Sequence, residues 1–122
     1  MKVLKCKHCG NIVEVVKDSK VKIVCCGEPM EELVPGTVDA AREKHVPEVE
    51  INGNVVRVKV GEVTHPMLDV HYIEWIAIET NKGVHRVNLK PGEDPVATFV
   101  LADGEVFVSA YEHCNLHGLW KR

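Results

Sequence analysis

Apolar and polar residues alternate along most of the chain from Glu48 onwards, at the two-residue period expected of β-strands. The clearest case lies where Glu48–Ile51 and Asn54–Val60 flank Asn52-Gly53, because Asn-Gly is typical of tight hairpin turns. Further strands are predicted at His71–Thr80, Val84–Leu89, Val96–Leu101 and Glu105–Tyr111, with a short last strand near Leu119–Lys121. About seven short strands at this spacing predict a mainly β fold, an antiparallel β-sandwich of immunoglobulin-like type.

The first part of the chain has a different pattern and reads as a separate small module. It contains two short alternating segments, Ile12–Val16 and Lys20–Val24, which are interrupted by turn-like residues. A stretch of this length cannot bury enough apolar surface to fold unaided. The Pro-Gly break in Val34–Thr37 is typical of a linker. The pattern therefore predicts two domains, over residues 1–36 and 37–122.

One short helical turn is predicted between the linker and the hairpin. Asp39–Lys44 has no strand pattern and suits a single turn of helix. Pro47 prevents that helix from continuing past about His45, because a proline disfavours helical geometry in the residue before it. His45 is therefore expected in a loop that enters the sandwich.

Composition narrows the classes of partner and the cellular location. The 15 basic and 18 acidic residues leave a net charge of −3, and both signs are mixed throughout the chain. Bulk charge therefore gives no reason to expect a nucleic acid or an anionic membrane as partner. No apolar run approaches the ~20 residues that span a bilayer. The first residues lack the apolar core of a signal peptide, which predicts a cytoplasmic protein.

Four of the five cysteines lie in the first module, as Cys6-x-x-Cys9 and the adjacent pair Cys25-Cys26. An odd number of cysteines in a reducing compartment favours metal ligation over disulfides. Adjacent residues of a regular strand point to opposite faces, so two adjacent ligands require a distorted backbone, which Gly27 permits. A four-thiolate metal site would hold this small module together, and a structural zinc or a redox iron both fit that ligand set.

The fifth cysteine stands in a second candidate site, Cys114-x-x-His117, near the end of the chain. A thiol and an imidazole in one short turn can bind the same metal ion but cannot complete its coordination. Taken alone, this spacing is more typical of a surface loop. The partners that the rest of the chain offers are His45, His65 and His71.

These histidines have alternatives that the spacing leaves open. His65 and His71 would be ~20 Å apart in an extended strand. If both bind one ion, residues 66–70 must bend sharply, and Pro66 favours such a bend. Each of these histidines taken singly suits a hydrogen-bonded structural role better than ligation. The same structural role is expected of His8, His85 and His113, and the side chain of His113 is expected to point away from that of Cys114.

Taken together, these motifs closely resemble desulfoferrodoxin, the two-iron class of superoxide reductase. The resemblance rests on motifs that follow one another in order: Cys6-x-x-Cys9, Cys25-Cys26, Glu43-Lys44-His45-Val46-Pro47, His65-Pro66-Met67, His71-Tyr72-Ile73, Trp75 and Cys114-Asn115-Leu116-His117-Gly118-Leu119-Trp120. It covers essentially the whole chain, and no ligand of the family pattern is missing.

The resemblance implies two iron ions per chain. A first centre of rubredoxin type, in a desulforedoxin-like domain, would be bound by Cys6, Cys9, Cys25 and Cys26. A second, catalytic centre would have four equatorial imidazoles and one axial thiolate, supplied by His45, His65, His71, His117 and Cys114. Glu43 resembles the carboxylate that occupies the sixth position in the ferric resting state, and Lys44 resembles the cation beside the open face.

The implied activity is one-electron reduction of superoxide to hydrogen peroxide, which detoxifies superoxide, with rubredoxin or a similar protein as electron donor and a homodimer as the assembly. A hypothesis of another class is an electron carrier or a metal-stapled binding module without catalysis. The first module alone would permit that hypothesis. The five His and Cys residues of the second domain argue against it, because an open-faced site suits chemistry on a small anion.

Overall fold

The structure, a computed structural model, describes residues 1–122 and divides into two compact units, Met1–Val34 and Pro35–Arg122. Both units are built almost entirely from antiparallel β-strands. No helix in the structure is long and apolar enough to cross a lipid bilayer. The mainly β fold predicted from the sequence is confirmed.

The first unit contains five short strands: β1 (Val3–Lys5), β2 (Ile12–Glu14), β3 (Val24–Cys25), β4 (Glu28–Pro29) and β5 (Glu31–Glu32). β1 is the central strand of a three-stranded sheet ordered β2-β1-β5, and β3 pairs with β4 as a separate hairpin. The hairpin turn lies between Cys25 and Glu28 and therefore presents the two adjacent cysteines.

The predicted strand over Lys20–Val24 is wrong for most of its length, because only Val24 lies in a strand. Lys20 has a φ of 67°, and its N–H donates to the Asp18 carboxylate at 2.8 Å. An aspartate that accepts from a backbone N–H two residues later forms a local turn, which competes with the strand that the alternating residues suggest.

The second unit contains one helix and seven strands: α1 (Arg42–His45), β6 (Pro47–Asn52), β7 (Val55–Val60), β8 (Ile73–Thr80), β9 (Val84–Asn88), β10 (Val96–Val100), β11 (Phe107–Cys114) and β12 (Gly118–Lys121). The strands form two antiparallel sheets, ordered β10-β7-β6 and β12-β11-β8-β9. The core between them includes Val56, Val58, Ile76, Ile78 and Phe99. The predicted sandwich and its number of strands are confirmed.

The predicted hairpin occurs where the sequence places it, whereas the helical turn covers Arg42–His45 instead of Asp39–Lys44, so His45, which was expected in a loop, is the last residue of α1. β6 and β7 pair from Pro47↔Val60 to Asn52↔Val55 around the Asn52-Gly53 turn, where Gly53 has a φ of 62°. α1 is a single turn, and β6 begins at Pro47, as expected of a proline that ends a helix.

β11 continues through Cys114, three residues beyond the predicted end of the strand. It pairs with β8 on one side and with β12 on the other, and the last pairs are Cys114↔Ile73 and Cys114↔Gly118. Between His113 and Cys114 the register on β8 passes from Trp75 to Ile73, so Glu74 is an extra residue that marks a bulge in β8. Cys114, which lies opposite this bulge, is the last residue of β11 and immediately precedes the turn that holds His117.

Candidate metal centres

The first candidate centre is a group of four thiols in the first unit, those of Cys6, Cys9, Cys25 and Cys26, whose sulfur atoms all lie within 4.8 Å of one another. The Sγ atoms of Cys9 and Cys25 are 3.6 Å apart. Sulfur ligands of a tetrahedral ion, each bonded at about 2.3 Å, would be separated by about 3.8 Å. The thiols predicted to meet are therefore brought together at a spacing that fits one tetrahedral ion.

The backbone around these thiols is shaped for ligation. Cys26 has a φ of 53°, which confirms the distortion that two adjacent ligands require. The N–H of Cys9 points at the Cys6 sulfur and lowers the pKa of that thiol to about 6. The neighbouring thiols of Cys9 and Cys6 raise the pKa of Cys26 to about 12. Four thiols so close together cannot all ionise unless a cation is bound among them.

Glu28 connects the two cysteine turns of the first unit. Its carboxylate lies 3.0 Å from Nζ of Lys7 and 3.2 Å from Nε2 of His8. Lys7 and His8 stand between the first two cysteines, and Glu28 follows the second pair. His8 therefore has the structural role expected of it.

The second candidate centre is a closed ring of four imidazoles in the second unit. The centroids of neighbouring rings are 4.7 to 5.0 Å apart in the cyclic order His45, His65, His71, His117. Each ring is turned by 75 to 88° from its neighbours. Their ligand nitrogens and the Cys114 sulfur all lie within 4.8 Å of one another. Four rings in this arrangement surround a single point.

Two backbone carbonyls orient the imidazoles of His45 and His65. Nδ1 of His45 donates to the Ala41 carbonyl at 2.7 Å, and Nδ1 of His65 donates to the Pro66 carbonyl at 2.6 Å. A carbonyl can only accept, so Nδ1 carries the proton and Nε2 presents a lone pair in each neutral ring. Hydrogen bonds of this kind are the ones that orient metal-bound histidines.

The distances between the nitrogens fit a bound cation. Nε2 of His45 is 3.2 Å from Nε2 of His65 and 3.1 Å from Nδ1 of His117. Two nitrogens at right angles around an ion, each at about 2.1 Å, are about 3.0 Å apart. The lone pairs of His45 and His65 repel each other at this distance unless a cation lies between them.

Burial keeps the imidazoles in the neutral form that binds metal. It lowers the pKa of His65 to about 4 and is the main cause of the lowered pKa of His45 and of His71. Nε2 of His71 is also buried without a hydrogen-bond partner. A buried nitrogen without a partner, on a ring that lies beside those of His65 and His117, is explained by a metal ligand role.

The segment between His65 and His71 bends sharply, as ligation by both histidines requires. Leu68 and His71 exchange two backbone hydrogen bonds, from N of Leu68 to O of His71 at 2.9 Å and the reverse at 3.1 Å. This tight turn returns the chain so that the two rings are neighbours, with centroids 4.7 Å apart.

Cys114 supplies the sulfur of the centre from the end of β11. It is fully buried, and its Sγ lies 3.9 Å from Nδ1 of His117. Burial raises the pKa of this thiol, while the backbone N–H groups of Leu116 and His117 lower it by donating to the sulfur. Such hydrogen bonds stabilise a thiolate and moderate its donation to a metal.

Asn115 fixes the turn that follows Cys114. Its side-chain oxygen accepts from N–H of Tyr72 at 2.9 Å, and its amide group donates to the Val70 carbonyl at 3.1 Å. Its own N–H donates to the Tyr72 carbonyl at 3.1 Å. These three bonds tie the turn of Cys114 to the residues on both sides of His71.

Glu43 and Lys44 lie next to His45 on α1, and both are exposed. Neither belongs to the five-residue ligand group. Their charges reach the centre, because Lys44 contributes to the lowered pKa of His71 and Glu43 opposes the lowering of the pKa of His45. They are placed as charged neighbours of the imidazole ring.

The remaining histidines have structural partners, as expected. Nδ1 of His113 lies 3.0 Å from the Glu74 carboxylate, and its ring stacks on Trp75. Nε2 of His85 lies 2.8 Å from the Glu105 carboxylate. Both imidazoles therefore point away from the ligand group.

Sequence reasoning missed one buried acid beside the second centre. Glu112 is fully buried, both of its carboxylate oxygens lack a hydrogen-bond partner, and burial raises its pKa well above the ordinary value. Its position two residues before Cys114 could have revealed it in the sequence, because residues two apart in a strand have their side chains on the same face.

Comparison with known proteins extends over both units. The family model described as "Desulfoferrodoxin" matches residues 37–122, and the model described as "Desulfoferrodoxin, N-terminal domain" matches residues 1–33. A desulfoferrodoxin homolog from Archaeoglobus fulgidus is 51% identical over 121 residues, which cover 99% of this chain and 95% of that protein.

Solved structures of superoxide reductases share the fold. The crystal structure of the enzyme from Treponema pallidum aligns with a TM-score of 0.81 at 39% identity and covers 98% of both chains. The structure of a 1Fe superoxide reductase from Giardia intestinalis aligns with a TM-score of 0.55 at 35% identity. That alignment covers 66% of this chain and 95% of the other.

Proposed function

This chain belongs to the desulfoferrodoxin family, and on that premise we propose that it is a superoxide reductase with two iron ions. The observation that carries the proposal is the closed ring of four imidazoles with the Cys114 thiol at the same point. Solved structures that share this fold over most of their length include superoxide reductases.

The donor set of the second centre suits iron. Imidazole is a common ligand of iron in proteins, and a single thiolate adds one soft donor. Five donors leave one position of a six-coordinate ion for a small molecule. Ferrous iron held by these five ligands would supply the single electron that the reduction of superoxide requires.

The residues of the centre keep it receptive to an anion. The imidazoles of His45, His65 and His71 are held neutral by burial, so within the five-residue ligand group only Cys114, as a thiolate, contributes a negative charge. Lys44 adds a positive charge beside His71, and a fixed cation raises the local concentration of superoxide. The N–H groups of Leu116 and His117 donate hydrogen bonds to the Cys114 sulfur and thereby stabilise its negative charge.

In the proposed reaction one superoxide anion takes one electron and two protons and leaves as one molecule of hydrogen peroxide. Glu43, beside the ligand His45, would offer a carboxylate to the vacant coordination position of a ferric ion and would leave that position free for superoxide in the ferrous state. The electron returns from a separate donor protein such as rubredoxin, and the working assembly is a homodimer in the cytoplasm. The family resemblance supports the role of Glu43, the electron donor and the homodimer.

Product stoichiometry tests the proposal. The iron-loaded, reduced protein is exposed to a known amount of superoxide in the presence of a reductant, and hydrogen peroxide and dioxygen are both quantified. We expect one hydrogen peroxide for each superoxide consumed and no dioxygen. Formation of one dioxygen and one hydrogen peroxide from two superoxide anions would show a dismutase, and no consumption above the uncatalysed rate would leave an electron carrier or binding module.

A further inference from the structure

Helix α1 carries Glu43, Lys44 and the ligand His45, yet it is too short to be stable without contacts to other parts of the fold. It has four residues, and its N-cap residue, Ala41, makes no side-chain hydrogen bond. Its backbone bonds include those from N–H of Lys44 to the Ala41 carbonyl at 3.2 Å and from N–H of Val46 to the Arg42 carbonyl at 2.9 Å. An isolated helix of this length is unstable, so tertiary contacts must fix it.

The turn that follows β7 provides those contacts. The N–H of Val63 donates to the carbonyl of Glu43 at 2.9 Å, and the N–H of Gly61 donates to the carbonyl of Val46 at 3.2 Å. These two bonds attach both ends of the segment Glu43–Val46 to one turn. They satisfy carbonyls at the end of α1 that have no partner within so short a helix.

Gly61 lies where the two segments meet and has no space for a side chain. It is buried and has a φ of 85°. A Cβ atom at this position would lie 2.4 Å from the carbonyl oxygen of Val63 and 2.7 Å from that of Lys44. Both obstacles are backbone atoms, so no side chain can move aside. The turn of residues 61–63 would have to open at Val63, and the segment that holds Lys44 would have to move away from it.

We propose that Gly61 is a positioning residue that sets the place of Glu43 and Lys44 at the His/Cys centre. The missing side chain allows α1 to lie directly on the turn of residues 61–63. Any larger residue moves α1 outwards, and Glu43 and Lys44 move with it. The contribution of Glu43 to the centre rests on the proposed function, whereas the contact between the two segments does not.

The test compares Gly61→Ala with Gly104→Ala in the iron-loaded protein. Gly104 has a φ of 77°, but a Cβ there would meet nothing within 4 Å. The control therefore carries the strain of a left-handed residue without the obstruction. The measurement is the apparent dissociation constant of azide for the ferric second centre, read from its visible spectrum. We expect Gly61→Ala to bind azide roughly tenfold more tightly, because Glu43 no longer competes for the position, and Gly104→Ala to match the unmodified protein.

A double-mutant cycle with Glu43→Ala separates positioning from general loosening. If Gly61 acts by placing Glu43, Gly61→Ala should change azide binding in the presence of Glu43 and leave it unchanged in the Glu43→Ala background. Equal effects in both backgrounds, or azide binding by Gly61→Ala that equals that of Gly104→Ala, would overturn the proposal.

Hydrogen exchange of the unmodified, iron-loaded protein keeps the proposal testable if Gly61→Ala does not fold. The amides of Gly61 and Val63 should exchange slowly, and that of the exposed turn residue Asp103 should exchange fast. Free exchange at both of the first two positions would contradict the contact between α1 and the turn. A chain that failed to reduce superoxide would refute the proposed function, while the exchange result and the azide cycle would still decide the role of Gly61.

Discussion

The Nε2 atoms of His45 and His65 face each other at 3.2 Å, although neither of them carries a proton. Each ring already donates its Nδ1–H to a backbone carbonyl, that of Ala41 or that of Pro66. The protein therefore maintains two lone pairs at a distance where they repel each other. The ligands of this site are already oriented for a metal ion, and a cation between the two nitrogens would relieve their repulsion.

Metal removal should destabilise the second unit, and His65 should account for much of the effect. At a free metal concentration about 1,000 times Kd, binding to the folded state alone stabilises it by about 4 kcal/mol. We expect His65→Ala to lose most of this increment, since it removes a ligand, and to change the metal-free protein less because it also removes a repulsive pair. Thermal unfolding of metal-free and iron-loaded samples measures both quantities.

The control for this experiment is His85→Ala. His85 binds the Glu105 carboxylate and does not belong to the ligand group, so the variant should keep the full increment from metal. Equal increments in His65→Ala and the unmodified protein would show that His65 is not a ligand.

The two centres should be separable by mutation of the first. Cys9→Ser removes one of the four thiols of the first unit and should abolish the visible spectrum of that iron site. The ligands of the second centre all lie in the other unit, so its spectrum and superoxide reduction should remain within about twofold of the unmodified protein. Loss of activity in a variant that stays folded and keeps iron in the second centre would show that the centres depend on each other.

Lys44 should accelerate the encounter with superoxide by its charge. Lys44→Ala is expected to slow the second-order reaction about three- to tenfold at low salt and to weaken its dependence on ionic strength. Pulse radiolysis over a range of salt concentrations measures both effects. Lys82→Ala is the matched control, because Lys82 is an exposed lysine just beyond the Thr80 end of β8, opposite the Ile73 end that pairs with Cys114. Identical rates for the Lys44 and Lys82 variants at low salt would exclude steering by Lys44.

Glu105 should make the stability of the second unit depend on acid. Its carboxylate accepts from Thr80, His85 and the N–H of Ala102, and these bonds lower its pKa from an ordinary 4.5 to about 2. The folded state therefore binds fewer protons than the unfolded state between these pH values. The stabilisation is complete above pH 4.5 and is lost as the pH falls towards 2.

Urea unfolding of Glu105→Gln and the unmodified protein at matched metal content tests this pH dependence. The fluorescence of Trp75 and Trp120, both in the second unit, reports the transition. The difference in unfolding free energy between the two proteins should shrink as the pH falls from about 5 to 3. A difference that stays constant down to pH 3 would contradict the assigned pKa.

The strand pattern of the second unit could be predicted because most of its strands bury one face and expose the other. β7 and β10 show this alternation plainly. β11 was predicted too short because its last six residues are all buried, including the polar Glu112 and His113. Polar residues in such a stretch suggest the end of a strand, although here they continue it.

The identity of the ligands could be predicted from motif order, but their arrangement could not. The imidazoles come from α1, from the tight turn of residues 65–71 and from the turn after β11, which are distant in sequence. The carbonyls of Ala41 and Pro66 that set the tautomers belong to residues whose side chains carry no such chemistry. Gly61 is likewise unremarkable in the sequence, because the reason for a glycine there includes the close approach of the Lys44 backbone, which belongs to a distant segment of the chain.

Substitution of Cys114 tests the account most directly. Cys114→Ser replaces a thiolate by a poorer oxygen donor, while four imidazoles remain to hold iron. The measurement is the visible spectrum of the iron-loaded variant together with its rate of superoxide reduction. We expect the sulfur-to-iron charge-transfer band of the second centre to disappear and turnover to fall by at least about 100-fold. If Cys114 were only a small buried residue, serine would reduce stability alone. A folded, iron-loaded variant that kept both the band and near-normal turnover would contradict the thiolate ligand and the function built on it.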